Sequence, residues 1–183
     1  MPPKTLTTEI ILENDLFRLK KDRLQKENGE IIEEYYTIDR PDVAIIVTIT
    51  KDGRLVLLDQ YRHPIKKSGI EVPAGHINKG EPIEEGAKRE LLEETGYSAA
   101  KFTKIYENYA SIGLLNQKLH FFLATEAEKN HDQNLDKDEE LTVTLKTWEE
   151  TEKLLVEGHI QDIDSVAAIL LAKKYLQNPT GHP

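Results

Sequence analysis

The sequence predicts an α/β protein, a mixed sheet covered by helices, preceded by a small antiparallel β region. Three observations predict it. From residue 43 onward, β-rich runs alternate with three helical stretches. Two tight-turn signals, Asn28-Gly29 and Lys51-Asp52-Gly53, each sit between a pair of strand-like runs. The 183 residues, 38% hydrophobic and 31% charged, suffice for one good core but hardly for two.

In chain order, the first strand-like runs are 8–13, 17–24 and 30–38, all short and largely polar. Such a three-stranded piece has little to bury by itself, so it is expected to pack on something else. Asp39-Arg40-Pro41-Asp42 reads as a linker, because proline ends strand pairing. Runs 43–50 and 54–62 form the next hairpin, and 71–74 is a short extended segment leading into Gly75. A helix is predicted from about Pro82 to Thr95, with proline in its first turn and Gly96 just past its end. Runs 102–109, 118–127 and 141–148 are further strands, the last two separated by an acidic loop, 128–140. Thr147-Trp148-Glu149-Glu150 is a capping box that opens a helix stopped by Gly158, and a final helix spans about Asp164–Leu176.

Composition narrows the function classes. No apolar run approaches the roughly 20 residues that cross a bilayer. Met1-Pro2-Pro3-Lys4-Thr5 lacks the charged-then-apolar layout of a secretory signal. The absence of cysteine excludes disulfides, zinc–thiolate sites and thiol nucleophiles, and accords with a cytoplasmic chain. A net charge of −9 argues against nucleic acid or anionic membrane as partner. The same charge would repel a phosphate substrate unless divalent cations inverted the local field.

The helix over 82–95 carries the candidate chemistry. At about 100° per residue, Ile83, Ala87 and Leu91 fall within about 80° of one another and define the buried stripe. Glu90 and Glu94, four apart, stack at the angle of Ile83, with Glu93 farther round. Glutamate pairs on an acidic helix are commonly a solvated face. These two point inward instead, where a carboxylate is costly without a metal or a partner, and clustered oxygen ligands suit Mg²⁺ or Mn²⁺. Arg89 is expected to pair with Glu85 or Glu81. Gly75 and Gly80 bracket a turn that can approach a ligand through its backbone, although the Gly-Lys-Ser/Thr ending of a phosphate-cradling loop is missing.

The run from Gly75 to Tyr97 resembles the Nudix box: Gly75, five residues, Glu81, seven residues, then Arg89-Glu90-Leu91-Leu92-Glu93-Glu94-Thr95-Gly96-Tyr97. Every fixed position matches, Tyr97 being an unusual choice for the last apolar one. Gln60-Tyr61-Arg62, Glu71-Val72-Pro73-Ala74 and Gly158-His159-Ile160 are similar to the branch that cleaves ADP-ribose and nucleotide sugars. The resemblance implies an α/β/α sandwich and hydrolysis of ADP-ribose, GDP-mannose or a related nucleotide sugar to a nucleoside monophosphate and a sugar phosphate. It implies two or three Mg²⁺ ions, with Mn²⁺ able to substitute, held by Glu90, Glu93, Glu94 and the Ala74 carbonyl. A late-loop acid completes the site or handles the water. By position this is Glu139, with Asp138 and Glu140 as neighbours and Lys137 where some relatives carry another acid.

Arg62, Glu71 and the aromatic residues Phe17, Tyr35 and Tyr36 are the substrate-binding candidates. Arg62 offers a fork of donors to a diphosphate and the aromatics offer faces to a base, although strand aromatics more often serve packing. By resemblance, residues 1–40 form a β region that serves in a homodimer, exchanged between subunits, and residues 41–183 form the hydrolase domain. Ile112-Gly113 stands where ADP-ribose hydrolases often carry proline, which widens the implied substrate class toward GDP-mannose. The six histidines show no ligand spacing and read as structural or exposed. Two rivals remain: a Nudix module that binds nucleotide sugars without hydrolysis, and a nucleoside triphosphate pyrophosphohydrolase or RNA-decapping enzyme. Intact box carboxylates oppose the first, and acidic charge opposes RNA.

Overall fold

The computed structural model describes residues 1–135, 137 and 140–178. It comprises two compact units. The first holds residues 1–42 together with 108–119, and the second holds 43–107 and 120–183.

The first unit contains an antiparallel sheet of β1 (Lys4–Glu13), β2 (Arg18–Gln25) and β3 (Ile31–Asp39) in that order. Asn14 Oδ1 accepts from the Leu16 and Phe17 amides at 2.8 and 2.9 Å and turns the first corner. The second corner uses Gly29 at φ +85°, as the Asn-Gly signal requires. Residues 39–41 are tied to the 108–119 segment, with Asn116 Nδ2 donating to Asp39 at 2.8 Å and Gln117 Nε2 donating to the Pro41 carbonyl at 2.7 Å. No residue of 1–42 is buried, and Ile10, Ile11 and Leu12 stand about half exposed. Cross-strand ion pairs such as Lys21–Glu9 and Arg23–Glu33 decorate the sheet. Exposed pairs contribute about 0–1 kcal/mol each, so they do not replace a core.

The second unit is built on a seven-stranded mixed sheet: β4 (Val43–Thr50), β5 (Leu55–Arg62), β6 (Lys67–Glu71), β7 (Ala74–His76), β8 (Tyr97–Tyr109), β9 (Lys118–Lys129) and β10 (Leu141–Lys146). Its path is β10-β5-β4-β9-β8, with β6 also on β5 and β7 also on β4. Helix α1 (Ile83–Thr95) and helix α3 (Ile163–Gln177) both pack on β4, while α2 (Trp148–Val156) lies against β10. Residues Ala44 to Val47 are all buried, as a strand covered on both faces demands. Ala44, Ile46 and Val56 join Ala87 and Leu91 of α1, Tyr97 and Phe122 in the main core, against which Ile83, Phe102 and Val143 pack. The stripe read from the sequence is therefore the one that is buried. Among the described residues, no helix is long and apolar enough to cross a membrane.

Local signals account for most element ends. Pro82 precedes α1 in extended conformation, and Gly96 ends it at φ +74°, its amide donating to the Leu92 carbonyl at 2.8 Å. The capping box of α2 forms as expected: Glu150 N donates to Thr147 Oγ1 at 3.1 Å and Thr147 N to Glu150 Oε2 at 2.7 Å. Several features differ from the sequence reading, among them β1, which starts at Lys4 rather than residue 8, and β6, which that reading lacked. β8 starts at Tyr97 rather than residue 102, because Tyr97 belongs to the core. The 71–74 segment is not one strand: β6 ends on β5 at Glu71, β7 begins on β4 at Ala74, and Val72-Pro73 crosses between them. Gly75 lies in β7 opposite Ala44, so it is no turn.

Candidate active site

The site is assembled around the crossing strip 71–76, where consecutive residues are held by different elements. At its start, Glu71 is buried and receives a fork from Arg62 of β5, Nε to Oε1 at 3.0 Å and Nη2 to Oε2 at 2.5 Å. Arg62 itself is 44% exposed, and its Nη1 lies outside that fork. Val72 N donates to Ser165 Oγ of α3 at 3.0 Å. The Pro73 carbonyl accepts from Ile46 N at 2.9 Å, and Ala74 N donates to Glu94 Oε2 of α1 at 3.0 Å.

Gly75 is the closest approach. A Cβ there would fall on the carboxyl carbon and Oε2 of Glu90, so only glycine admits that carboxylate beside the strand. One turn on, Glu94 is 3% exposed. Its helix neighbour Arg89 is the hub: Nε and Nη2 bind Glu81 at 2.9 Å each, Nη1 binds Glu90 at 2.8 Å and Glu93 at 2.9 Å, and Nη2 reaches the His76 carbonyl at 3.0 Å. Of the two partners expected for Arg89, Glu81 is the one it takes. Glu81 also accepts from Asn78 N at 2.9 Å. The Arg89 guanidinium and that amide hold its carboxyl down at about 2.

The late loop runs along the end of α1. Gln133 Nε2 donates to the Glu94 carbonyl at 2.6 Å and Asn134 N to the Glu93 carbonyl at 2.8 Å. Carbonyls that a helix end leaves without intrahelical partners are thereby satisfied. The loop rejoins β5 through Tyr61 N and the Glu140 carbonyl at 3.4 Å. Glu139 and Asp138, two of the candidate water-handling acids, lie outside the described residues.

A model of the NUDIX domain matches residues 39–169. The chain belongs to the Nudix family. As a Nudix chain it is a hydrolase acting on phosphorus-containing anhydrides. It is similar to an ADP-ribose pyrophosphatase of Bacillus subtilis, 33% identical over 175 residues, covering 95% of this chain and 92% of the relative. It is also similar to a methanol dehydrogenase activator of Bacillus methanolicus, 31% identical with the same coverage. A GDP-mannose pyrophosphatase of Pectobacterium atrosepticum is 30% identical, covering 76% of this chain and 77% of the relative. Among solved structures, an ADP compounds hydrolase superposes with a TM-score of 0.86 at 23% identity, over 98% of this chain and 97% of that one, and shares the fold.

Nudix hydrolases generally use a divalent cation, usually Mg²⁺. The donors around the strip suit one. Carboxylates of Glu90, Glu93 and Glu94 and the backbone of Ala74 are all hard oxygen ligands, and the space that Glu90 fills at Gly75 brings a carboxylate against the strand. Among the described residues, no three acidic or histidine side chains converge as a ready metal cluster. Glu90 and Glu93 each give one oxygen to Arg89 instead.

The remaining candidates lie in the first unit. Tyr35 and Tyr36 are 40% and 44% exposed in β3, opposite Asp22 and Lys21 of β2. As neighbours on a strand they face opposite sides of the sheet, so they do not form one stacking surface. Phe17, just before β2, is half-buried. Within the Nudix unit, the sequence reading missed Gln133, Asn134, Asp162 and Ser165. The 162–165 pair carried a signal, an Asp-x-x-Ser pattern at the head of a predicted helix, but nothing in the sequence linked it to Val72.

Proposed function

We propose that this Nudix chain hydrolyses the diphosphate of a nucleotide sugar, ADP-ribose, GDP-mannose or a close analogue, to a nucleoside monophosphate and a sugar phosphate. One observation carries the reading: buried Glu94 and half-buried Glu90, on one face of α1, meet the backbone of Ala74 and Gly75. Inward carboxylates on a bare strand are costly as scaffold and suited to cation-assisted chemistry on phosphate. The names of the full-length relatives support the sugar-linked class.

Glu90, Glu93, Glu94 and the Ala74 carbonyl would hold the cations, Mg²⁺ or Mn²⁺, two or three in number. When bound, they supply charge neutralisation on the diphosphate and acidify a water. Glu139 is the acid that would orient or deprotonate a water, and Glu94 and Glu93 would keep the ligand geometry. Arg62, braced by Glu71, directs a donor to a phosphate oxygen. Phe17, Tyr35 or Tyr36 stacks on the base. The β1–β3 sheet serves as the dimer element and residues 41–183 as the hydrolase domain, the enzyme working in the cytoplasm.

A substrate panel tests this: ADP-ribose, GDP-mannose, UDP-glucose and nucleoside triphosphates with Mg²⁺, reading released monophosphate and pyrophosphate. Turnover of one or more sugar-linked diphosphates is expected, lowered by orders of magnitude in Glu94→Gln with the fold unchanged. Turnover of triphosphates alone would move the chain to the triphosphate class. Tight binding of a nucleotide sugar without product would make it a binding module.

A further inference from the structure

We propose that Ser165 and Asp162, at the head of α3, are positioning residues for the Ala74 carbonyl and thereby set the cation affinity of the site. The inference rests on the cation reading above.

The argument starts at Pro73. Proline has no N–H, so the peptide joining Val72 to Pro73 offers no donor that could fix its orientation. Val72 N is therefore the last donor before Ala74, and it lies between strands, after β6 has left β5 and before β7 joins β4. No ladder bond is available to it there. Ser165 Oγ takes it at 3.0 Å, with Val72 2% and Ser165 1% exposed.

Ser165 is in turn fixed. Its Oγ donates to Asp162 Oδ2 at 2.8 Å, and its amide donates to the same oxygen at 2.8 Å. The hydroxyl hydrogen is thus committed to Asp162, which leaves the lone pairs of Oγ to accept from Val72. A serine that merely filled a helix first turn would have no reason to point its acceptor at a residue 93 positions earlier.

Three consecutive anchors follow: Val72 N on Ser165, the Pro73 carbonyl on Ile46 N at 2.9 Å, and Ala74 N on Glu94 at 3.0 Å. The last two are the two polar ends of one peptide plane, and they set its tilt. The first sets where the strip enters that plane. The Ala74 carbonyl belongs to the next peptide plane, whose far end, Gly75, is paired with Ala44 of β4. With entry, tilt and exit all held, the Ala74 torsions between them are confined, and with them the direction of that carbonyl, while Glu94 is kept against the same strip. Ser165 and Asp162 touch neither substrate nor cation in this scheme. They act through the backbone.

The test measures cation binding without substrate. Full-length wild type, Ser165→Ala, Ser165→Thr, Asp162→Asn and Glu94→Gln are titrated with Mn²⁺, free Mn²⁺ being read by electron paramagnetic resonance, and melting temperatures are recorded in parallel. Ser165→Ala should weaken Mn²⁺ binding about tenfold, the lower end of what losing a group behind a metal ligand does. Ser165→Thr keeps the hydroxyl and should stay within about twofold of wild type. Asp162→Asn keeps an acceptor and a good helix cap but loses the charge, and should fall between the two. If Ser165→Ala does not fold, Asp162→Asn decides alone, since its cap is preserved.

Unchanged Mn²⁺ affinity in Ser165→Ala, with or without a lower melting temperature, overturns the proposal. If Glu94→Gln loses Mn²⁺ in the same series, the cation reading stands while the positioning role falls. A wild type that binds no Mn²⁺ sinks both.

Discussion

At Gly75, the side chain is absent for reasons of space rather than flexibility. Its backbone is paired in a strand, and the volume a Cβ would take is filled by the Glu90 carboxyl group. Gly75→Ala should therefore expel Glu90 from the strip. We expect turnover to fall by about a hundredfold or more, in line with misplacement of a positioned group by about 1 Å, while circular dichroism stays that of the wild type. Retained activity would mean that Glu90 does its work elsewhere. Asp164 offers a test of a different kind. Burial, and then the charge of Asp162, push its carboxyl up from 3.8 to about 6. An acid whose folded value is raised binds more protons in the native than in the unfolded state, so stability declines as pH rises from 3.8 to about 6. Asp164→Asn should then stabilise the protein at pH 7 by on the order of 1 kcal/mol. The gain should vanish near pH 3, and urea melts at both pH values measure it.

Helix α1 and the strip facing it behave as one element clamped by Arg89. Glu81 is the acidic end of that clamp, held at about 2 against an ordinary 4.5. Its folded value is depressed, so the stability it contributes is complete above 4.5 and lost as pH falls toward about 2. Acid titration of wild type and Glu81→Gln should show the wild type losing its advantage inside that window. Parallel curves would remove Glu81 from the clamp. Much of α1 was legible in advance, because a helix repeats its environment every three to four residues. Ile83, Ala87 and Leu91 had to be inward, and Glu90 and Glu94 had to follow. The strip was not legible. A segment that leaves one strand for another within two residues has no period, and Val72-Pro73 looks like continuous strand until its partners are known. The same holds for Ser165 and Gln133, whose bonds to Val72 and Glu94 span 93 and 39 residues and carry no local mark.

Over the whole molecule, the two units differ in how they are held together. The second has a contiguous core, whereas residues 1–42 bury no side chain and leave Ile10, Ile11, Leu12 and Leu16 about half exposed. A three-stranded sheet without a covered face is marginal in water, so a second copy of the chain is the proposed cover. Light scattering after size exclusion should give twice the 20.9 kDa chain mass. Ile10→Glu with Leu12→Glu should lower it to the single-chain value and reduce turnover. A wild-type monomer with full activity would dismiss the dimer.

The anchoring of Val72 on α3 also bears on how the enzyme comes into being. The recognisable run of Gly75 to Tyr97 leaves the ribosome before the serine that steadies the strand ahead of it has been made. Synthesis thus delivers the chemical groups before it delivers their alignment. A nascent chain stalled before α3 would carry every box carboxylate and still lack the support that holds the Ala74 carbonyl in place.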